Sequence, residues 1–146
     1  MNASPIYLKD YRPSPFQVSH THLTFELDAN STQVNVIYQI QRQDVNDRSP
    51  LILQGENLHL VKVQINGHTL SPEHYHLTEL QLSIYDCPNE AEVHIETLIS
   101  PAQNKELMGL YASANNFCTQ CEAEGFRRIT YALDRPDVLS IFTTKI

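Results

Sequence analysis

"QVNVIYQIQ", residues 33–41, is the stretch on which the fold turns. Val34, Val36, Tyr38 and Ile40 alternate with Gln33, Asn35, Gln39 and Gln41. Side chains on a strand point to opposite faces with a period of two, so the pattern predicts a strand with one face buried and one solvated. Upstream, Leu23, Phe25 and Leu27 alternate in the same way, and "DANS" (28–31) supplies the turn residues between the two runs. Phe16 and Val18 fall on the opposite parity from Leu23. A one-residue slip is therefore expected near His20 to His22, and a β-bulge is the usual cause of one.

Downstream, "HLVKVQINGHTL" (59–70) places Asn66-Gly67 between two strand-like runs, a strong hairpin signal. Leu80, Leu82 and Ile84 mark the next strand, and Asp86 to Glu90, with Pro88 inside, marks the turn after it. Val93, Ile95, Thr97 and Ile99 form another strand, stopped by Ser100-Pro101. No amphipathic helical period occurs before residue 100. At least six strands joined by short polar turns predict a mainly β domain, an antiparallel sandwich-like or saddle-like fold. Beyond Pro101 the texture changes. "PAQNKELMGLYASANNF" (101–117) reads as a loop with at most one helical turn. Residues 122–133 and 136–142 read as two short helical pieces near the C-terminus, with Pro136 near a helix start and Asp134 as its cap. "FTTKI" (142–146) returns to alternation and stops without a cap or polar tail, as a chain cut in mid-strand would.

The chain's 146 residues fit one domain with a substantial core, and 41% hydrophobic and 18% charged residues place it among globular proteins. A net charge of −7 argues against non-specific nucleic-acid binding, which draws its affinity from Lys and Arg neutralising phosphates. "MNASPIYLKDYRPSPF" holds three prolines and no apolar run, unlike a secretory signal. No stretch is apolar enough for a membrane-spanning helix. Cys87, Cys118 and Cys121 are too few and too odd in number for a disulfide framework. Together these features predict a reducing, cytoplasmic setting without nucleic-acid or membrane partners.

Cys118 and Cys121 form a C-x-x-C, but structural zinc needs about four ligands and no second pair of the right spacing follows. The βαβ context of a redox dithiol is also missing, so the expectation is two ordinary buried thiols. His20 and His22, and His74 and His76, are i, i+2 pairs that would share a strand face. Either pair could bind a metal if a third ligand came from elsewhere; solvated sheet-face positions are the plainer reading. No H-E-x-x-H, G-x-S-x-G or phosphate-cradling glycine loop is present. "QCEAEG" (120–125) remains. Glu122 and Glu124 follow the strand-like "FCTQC" and lead into the first helical piece. They are either carboxylates stabilised at a helix N-terminus or carboxylates placed at an element end to bind a cation. Spacing does not decide between the two.

Gly109-Leu110-Tyr111, Gln120-Cys121-Glu122, Arg127-Arg128 and Asp134-Arg135-Pro136-Asp137 occur in that order. This succession closely resembles the end of the N-terminal region in the bacterial aminopeptidase N family of M1 (gluzincin) zinc peptidases. "YLKDYRPSPFQVSHTHLTFELD" (7–28) is similar to that family's opening, so the resemblance spans residues 1–146. It is most specific over 118–137. The resemblance implies the N-terminal β domain of a longer, zinc-dependent alanyl aminopeptidase-type enzyme, truncated here before its catalytic domain. In that family the β domain caps the active-site cleft. The glutamate of Q-x-E, here Glu122, binds the substrate's free α-ammonium, and the glutamine, here Gln120, assists. The zinc ligands belong to the downstream domain, so the resemblance implies peptide substrates, no metal on this chain and no activity from it alone. Two other classes stand beside it: an independent β-sandwich interaction module, and a small metal- or thiol-active protein built on Cys118 and Cys121.

Overall fold

The computed structural model describes residues 7–146; the first six residues of the proline-bearing opening lie outside the described residues. In chain order the strands are β1 (Phe16–Glu26), β2 (Thr32–Arg42), β3 (Leu51–Gln54), β4 (His59–Ile65), β5 (His68–Thr69) and β6 (Tyr75–Leu77). They continue as β7 (Gln81–Ile84), β8 (Glu90–Ile99), β9 (Gly109–Ser113), β10 (Asn116–Gln120) and β11 (Ile141–Lys145). Six make one sheet in the order β11-β1-β2-β8-β4-β5; β3-β7-β6 form a second sheet, and β9-β10 a separate hairpin. The pairing of β1 with β11 is parallel, whereas β1–β2, β2–β8, β4–β8 and the smaller sheets pair antiparallel.

The alternation in the sequence becomes the core. Val34, Val36, Tyr38 and Ile40 of β2 point inward beside Ala91, Val93, Ile95 and Ile99 of β8, in a register that sets Val36 against Ile95 and Tyr38 against Val93. Leu51 and Leu53 of β3 and Leu82 and Ile84 of β7 join the same cluster, so two sheets share one core as in a sandwich. The slip in β1 is present: its register with β2 shifts between Val18 and His20, just before the expected place. The buried set moves there from Phe16 and Val18 to Thr21 and Leu23.

The turns follow local chemistry. Asp28 Oδ1 accepts the N–H groups of Asn30 (2.8 Å) and Ser31 (3.0 Å), closing the β1–β2 turn. Asn66 and Gly67 take φ values of 49° and 79° between the paired Ile65 and His68, the two-residue hairpin that Asn-Gly predicts. The β2 pattern ends on a buried charge: Arg42, 5% exposed, donates to the carbonyls of Ser49 and Cys87 at 2.9 Å each. Its guanidinium also stacks 4.2 Å from the Phe16 ring centre, so this cation is buried with partners.

The second half of the chain departs from expectation. Residues 101–117 hold more than a loop: after a 3-10 turn at Pro101–Gln103 they run into β9 and the start of β10. Of the helical pieces expected at 122–133 and 136–142, the first is reduced to the turn Phe126–Arg128 and the second is absent. The short helical segments near the C-terminus are single 3-10 turns, at Pro101–Gln103 and Phe126–Arg128. Tertiary hydrogen bonds explain the change. Gln54 N–H donates to the Ala132 carbonyl (2.7 Å) and Ala132 N–H to the Gln54 carbonyl (3.0 Å), holding the chain extended against β3. Tyr38 Oη, on β2, donates to the Tyr131 carbonyl at 2.8 Å. Further on, Pro136 disfavours helix at Arg135, and residues from Ile141 pair in parallel with β1.

Candidate functional site

Gln120 and Glu122 lie at the open end of the β9–β10 hairpin, where Gln120 is registered opposite Gly109. The Gly-Leu-Tyr and Gln-x-Glu motifs are therefore side by side, with Leu110 opposite Thr119 and Tyr111 opposite Cys118. Gln120 Nε2 donates to the Glu122 carbonyl at 2.8 Å, which ties the two residues together. Behind them the chain turns tightly: Gly125 N–H donates to the Cys121 carbonyl at 2.8 Å. A Cβ at Gly125 would stand 2.7 Å from the Gln120 carbonyl oxygen and 2.8 Å from Cys121 Cα, so only glycine admits this approach.

The segment after Glu122 holds two further carboxylates, both engaged. Asp134 Oδ2 accepts Arg127 Nε at 2.9 Å and Arg127 N–H at 3.1 Å, while Arg127 Nη2 donates to the Asp134 carbonyl at 3.0 Å. The same Nη2 stands 3.4 Å from Glu124 Oε2. Arg128 pairs with Glu56 at 2.8 Å, and Glu56 N–H donates to the Arg127 carbonyl at 2.9 Å. Glu122 is different. It is exposed, and among the described residues its carboxylate enters none of the ion pairs or side-chain hydrogen bonds. Three cavities among the described residues, of about 720, 360 and 150 Å³, are not lined by Gln120 or Glu122. The pair thus sits on a surface that this chain leaves open.

The choice left by the sequence at Glu122 and Glu124 now has an answer on one side. No α-helix follows them, only the three-residue turn Phe126–Arg128, so a helix dipole is not what they serve. Asp134 caps no helix either; it lies beyond that turn and accepts from Arg127. Neither Arg127 nor Asp134 stood out as a site residue in the sequence. Their signal was the paired basic segment and the acidic residue before Arg135-Pro136, which spacing alone does not connect.

The remaining candidates disperse. Cys118 and Cys121 are half-buried free thiols rather than fully buried ones, and burial with the nearby Asp134 charge pushes the Cys121 thiol up from its ordinary value. Cys87 is buried, which pushes its thiol up to about 11. His20 and His22 stack 6.3 Å apart on the solvated face of β1, as their spacing predicts. His74 and His76 do not share a strand: His74 ends the 3-10 turn Pro72–His74 and bonds Ser71 Oγ at 2.9 Å, whereas His76 lies in β6. Pro72 starts that turn, and β6 begins only at Tyr75, one residue after His74. Among the described residues no group of three or more His, Cys, Asp or Glu side chains gathers as a metal site would require.

Comparison with known proteins bears on the family of the chain. The chain is 48% identical over 140 residues to aminopeptidase N of Escherichia coli, and 44% identical over 141 residues to aminopeptidase N of Caulobacter vibrioides. These matches cover 96% and 97% of the chain but 16% of each relative, so the chain spans only a small part of their length. Among solved structures, Legionella pneumophila aminopeptidase A in complex with aspartic acid superposes with a TM-score of 0.86 at 29% identity, over 94% of this chain and 16% of that one. An M1 zinc metallopeptidase mutant of Deinococcus radiodurans, bound to a Tyr-Ser-Ala substrate, shares the fold with a TM-score of 0.74 at 15% identity, over 89% of this chain and 32% of that one. Residues 14–146 match the Peptidase M1 N-terminal domain, and the chain belongs to that family.

Proposed function

We propose that this chain is the N-terminal domain of a zinc-dependent aminopeptidase, where it caps one side of the active-site cleft and holds the substrate's α-ammonium on Glu122, with Gln120 assisting. One observation carries the reading: of the three carboxylates between residues 122 and 134, Glu122 alone has no cation partner among the described residues, and it is exposed. A peptide's α-amino group has a reference pKa of about 7.7–8.0 and is largely protonated at neutral pH, so it offers that carboxylate a charge and three N–H donors. Gln120 spends its Nε2 on the Glu122 carbonyl, which leaves its Oε1 as a second acceptor beside the carboxylate. A carboxylate placed at the end of a cleft selects a free N-terminus and leaves no room for residues upstream of it.

In this reading the catalytic zinc is held by another part of a longer polypeptide, which the M1 zinc metallopeptidase neighbours and the small share of the relatives' length that this chain spans support. Zinc held there would polarise the scissile carbonyl and activate water. This chain's part is to bind and orient the amino end. The second wall of the cleft also comes from outside. The exposed apolar side chains Leu139 (85%), Ile141 (62%) and Phe142 (54%), on and beside the free edge of β11, support a surface covered by further polypeptide.

Glu122→Ala in the full-length enzyme tests the reading. Loss of one partner of a desolvated charge pair is expected to lower kcat/KM on an unblocked dipeptide by about 2–5 kcal/mol of transition-state binding. An unchanged kcat/KM would remove Glu122 from the site. The chain by itself, supplied with zinc, is expected to release no chromophore from an aminoacyl substrate, and release at the rate of the full enzyme would refute the assignment.

A further inference from the structure

Resting on the reading of Glu122 as the ammonium anchor, we propose that Arg127 is a positioning residue for that anchor: it withdraws the two neighbouring carboxylates, so that Glu122 is the only one offered to the substrate. The geometry is a three-point clamp. Arg127 Nε holds Asp134 Oδ2 at 2.9 Å, Nη2 holds the Asp134 carbonyl at 3.0 Å, and the same Nη2 reaches Glu124 Oε2 at 3.4 Å. The guanidinium side chain is only 17% exposed and Asp134 14%, so the clamp is shielded from solvent and from competing ions. Glu124, at 61% exposure, is the carboxylate that would become available without it.

Two physical effects follow from one side chain. The first is charge. With Arg127 in place, the positive guanidinium lies among Glu124 and Asp134, and an incoming ammonium finds one uncompensated carboxylate two residues from Glu124. Without it, Glu124 competes for the ammonium at a displaced position, and its charge adds to that of Glu122. The second effect is posture. The clamp joins the two ends of the 124–134 segment, and that segment is fixed to β3 through Asp134 N–H donating to Gln54 Oε1 at 3.1 Å and Glu56 N–H donating to the Arg127 carbonyl at 2.9 Å. The planar fork of arginine meets both demands at once, whereas the single ammonium of lysine cannot span three acceptors.

The test uses the full-length enzyme with an unblocked aminoacyl substrate, reading KM and kcat separately. An ammonium held at Glu124 is bound but displaced, and unproductive binding lowers kcat and KM together, so Arg127→Gln is expected to lower kcat about tenfold with KM no higher than that of the wild type. Adding Glu124→Gln to that variant removes the competing carboxylate and is expected to recover most of the kcat loss. A purely structural role for Arg127 would not be relieved by neutralising Glu124. If Arg127→Gln does not fold, Arg127→Lys keeps the charge; it is expected to lower kcat severalfold, and Arg127→Lys with Glu124→Gln to return it towards the wild-type value. A wild-type kcat in a folded Arg127 variant, or a double variant no better than its single parent, overturns the proposal. Glu122→Gln measured alongside separates the two readings: an unchanged kcat/KM there defeats the anchor itself, whereas a lowered kcat/KM there with unaffected Arg127 variants defeats only the clamp.

Discussion

The β2–β8 ladder and the 121–134 segment lie in one domain yet are held by different means. The ladder is held by burial repeated along its length: Val34, Val36, Val93 and Ile95 are fully inside, and each residue's place follows from its neighbour's. The segment sends Ile129, Tyr131 and Ala132 into the core but forms no regular ladder. It is held by particular partners: Gln54 on Ala132, Tyr38 on Tyr131, Arg127 on Asp134 and Glu124. The first kind of structure tolerates exchange among apolar residues of similar size, because area and volume decide it. The second depends on named atoms at given distances, and it is the region that carries the proposed site.

Substitutions sharpen that contrast. Ile95→Ala empties a position with no exposure at the centre of β8, and the chain's unfolding free energy is expected to fall by about 2–5 kcal/mol in chemical denaturation, the range for buried Ile or Leu truncations. A loss under 1 kcal/mol would show that the ladder does not carry the stability assigned to it. Gly125→Ala acts on the other region. A methyl group forced against the Gln120 carbonyl and Cys121 Cα is expected to cost about 1–3 kcal/mol of stability, an overpacking penalty. In the full-length enzyme it should also lower kcat/KM on unblocked dipeptides, since the atoms displaced belong to the anchor. Wild-type kinetics in this variant would mean that the tight turn does not position Gln120 and Glu122.

The smallest effect is expected where the two chain ends meet. Asp137 accepts Arg135 through Nε at 2.8 Å and Nη2 at 2.7 Å, and accepts Tyr11 Oη at 2.9 Å. These hydrogen bonds, led by Arg135, hold the Asp137 carboxyl well below the usual carboxylate range. The unfolded chain then binds more protons than the folded one as acid is added. The contribution is full above the ordinary aspartate value of about 3.9 and is lost as pH falls through the lower folded-state value. Thermal melts of wild type and Asp137→Asn are expected to differ slightly near neutral pH and to converge in acid. Because the group is solvent-accessible, the difference stays small, and a gap that widens in acid would reverse the assignment.

The strand positions of β1, β2, β4, β7 and β8, the bulge in β1 and the Asn66-Gly67 hairpin were legible from residues alone. Each rests on local rules, alternation or turn chemistry, that the fold does not override. The β9–β10 hairpin was not. Its turn puts Ala114 at φ 47° and Asn115 at φ 67°, and alanine gives no warning of such a backbone. The helical reading of 122–133 failed for a related reason. "EAEGFRRITYAL" is locally compatible with helix, but Ala132 and Tyr131 are captured by Gln54 and Tyr38 from distant strands. Glu122 and Gln120 were found through motif resemblance, and spacing by itself left their role open.

The sequence by itself determined which faces of the main strands are buried, because a period of two combined with burial leaves each side chain one of two directions. Tertiary structure decided the path of residues 101–145 and the state of the three carboxylates. Arg127 meets Asp134 only after the chain has folded back against β3, and only that meeting leaves Glu122 as the single unpaired charge among them.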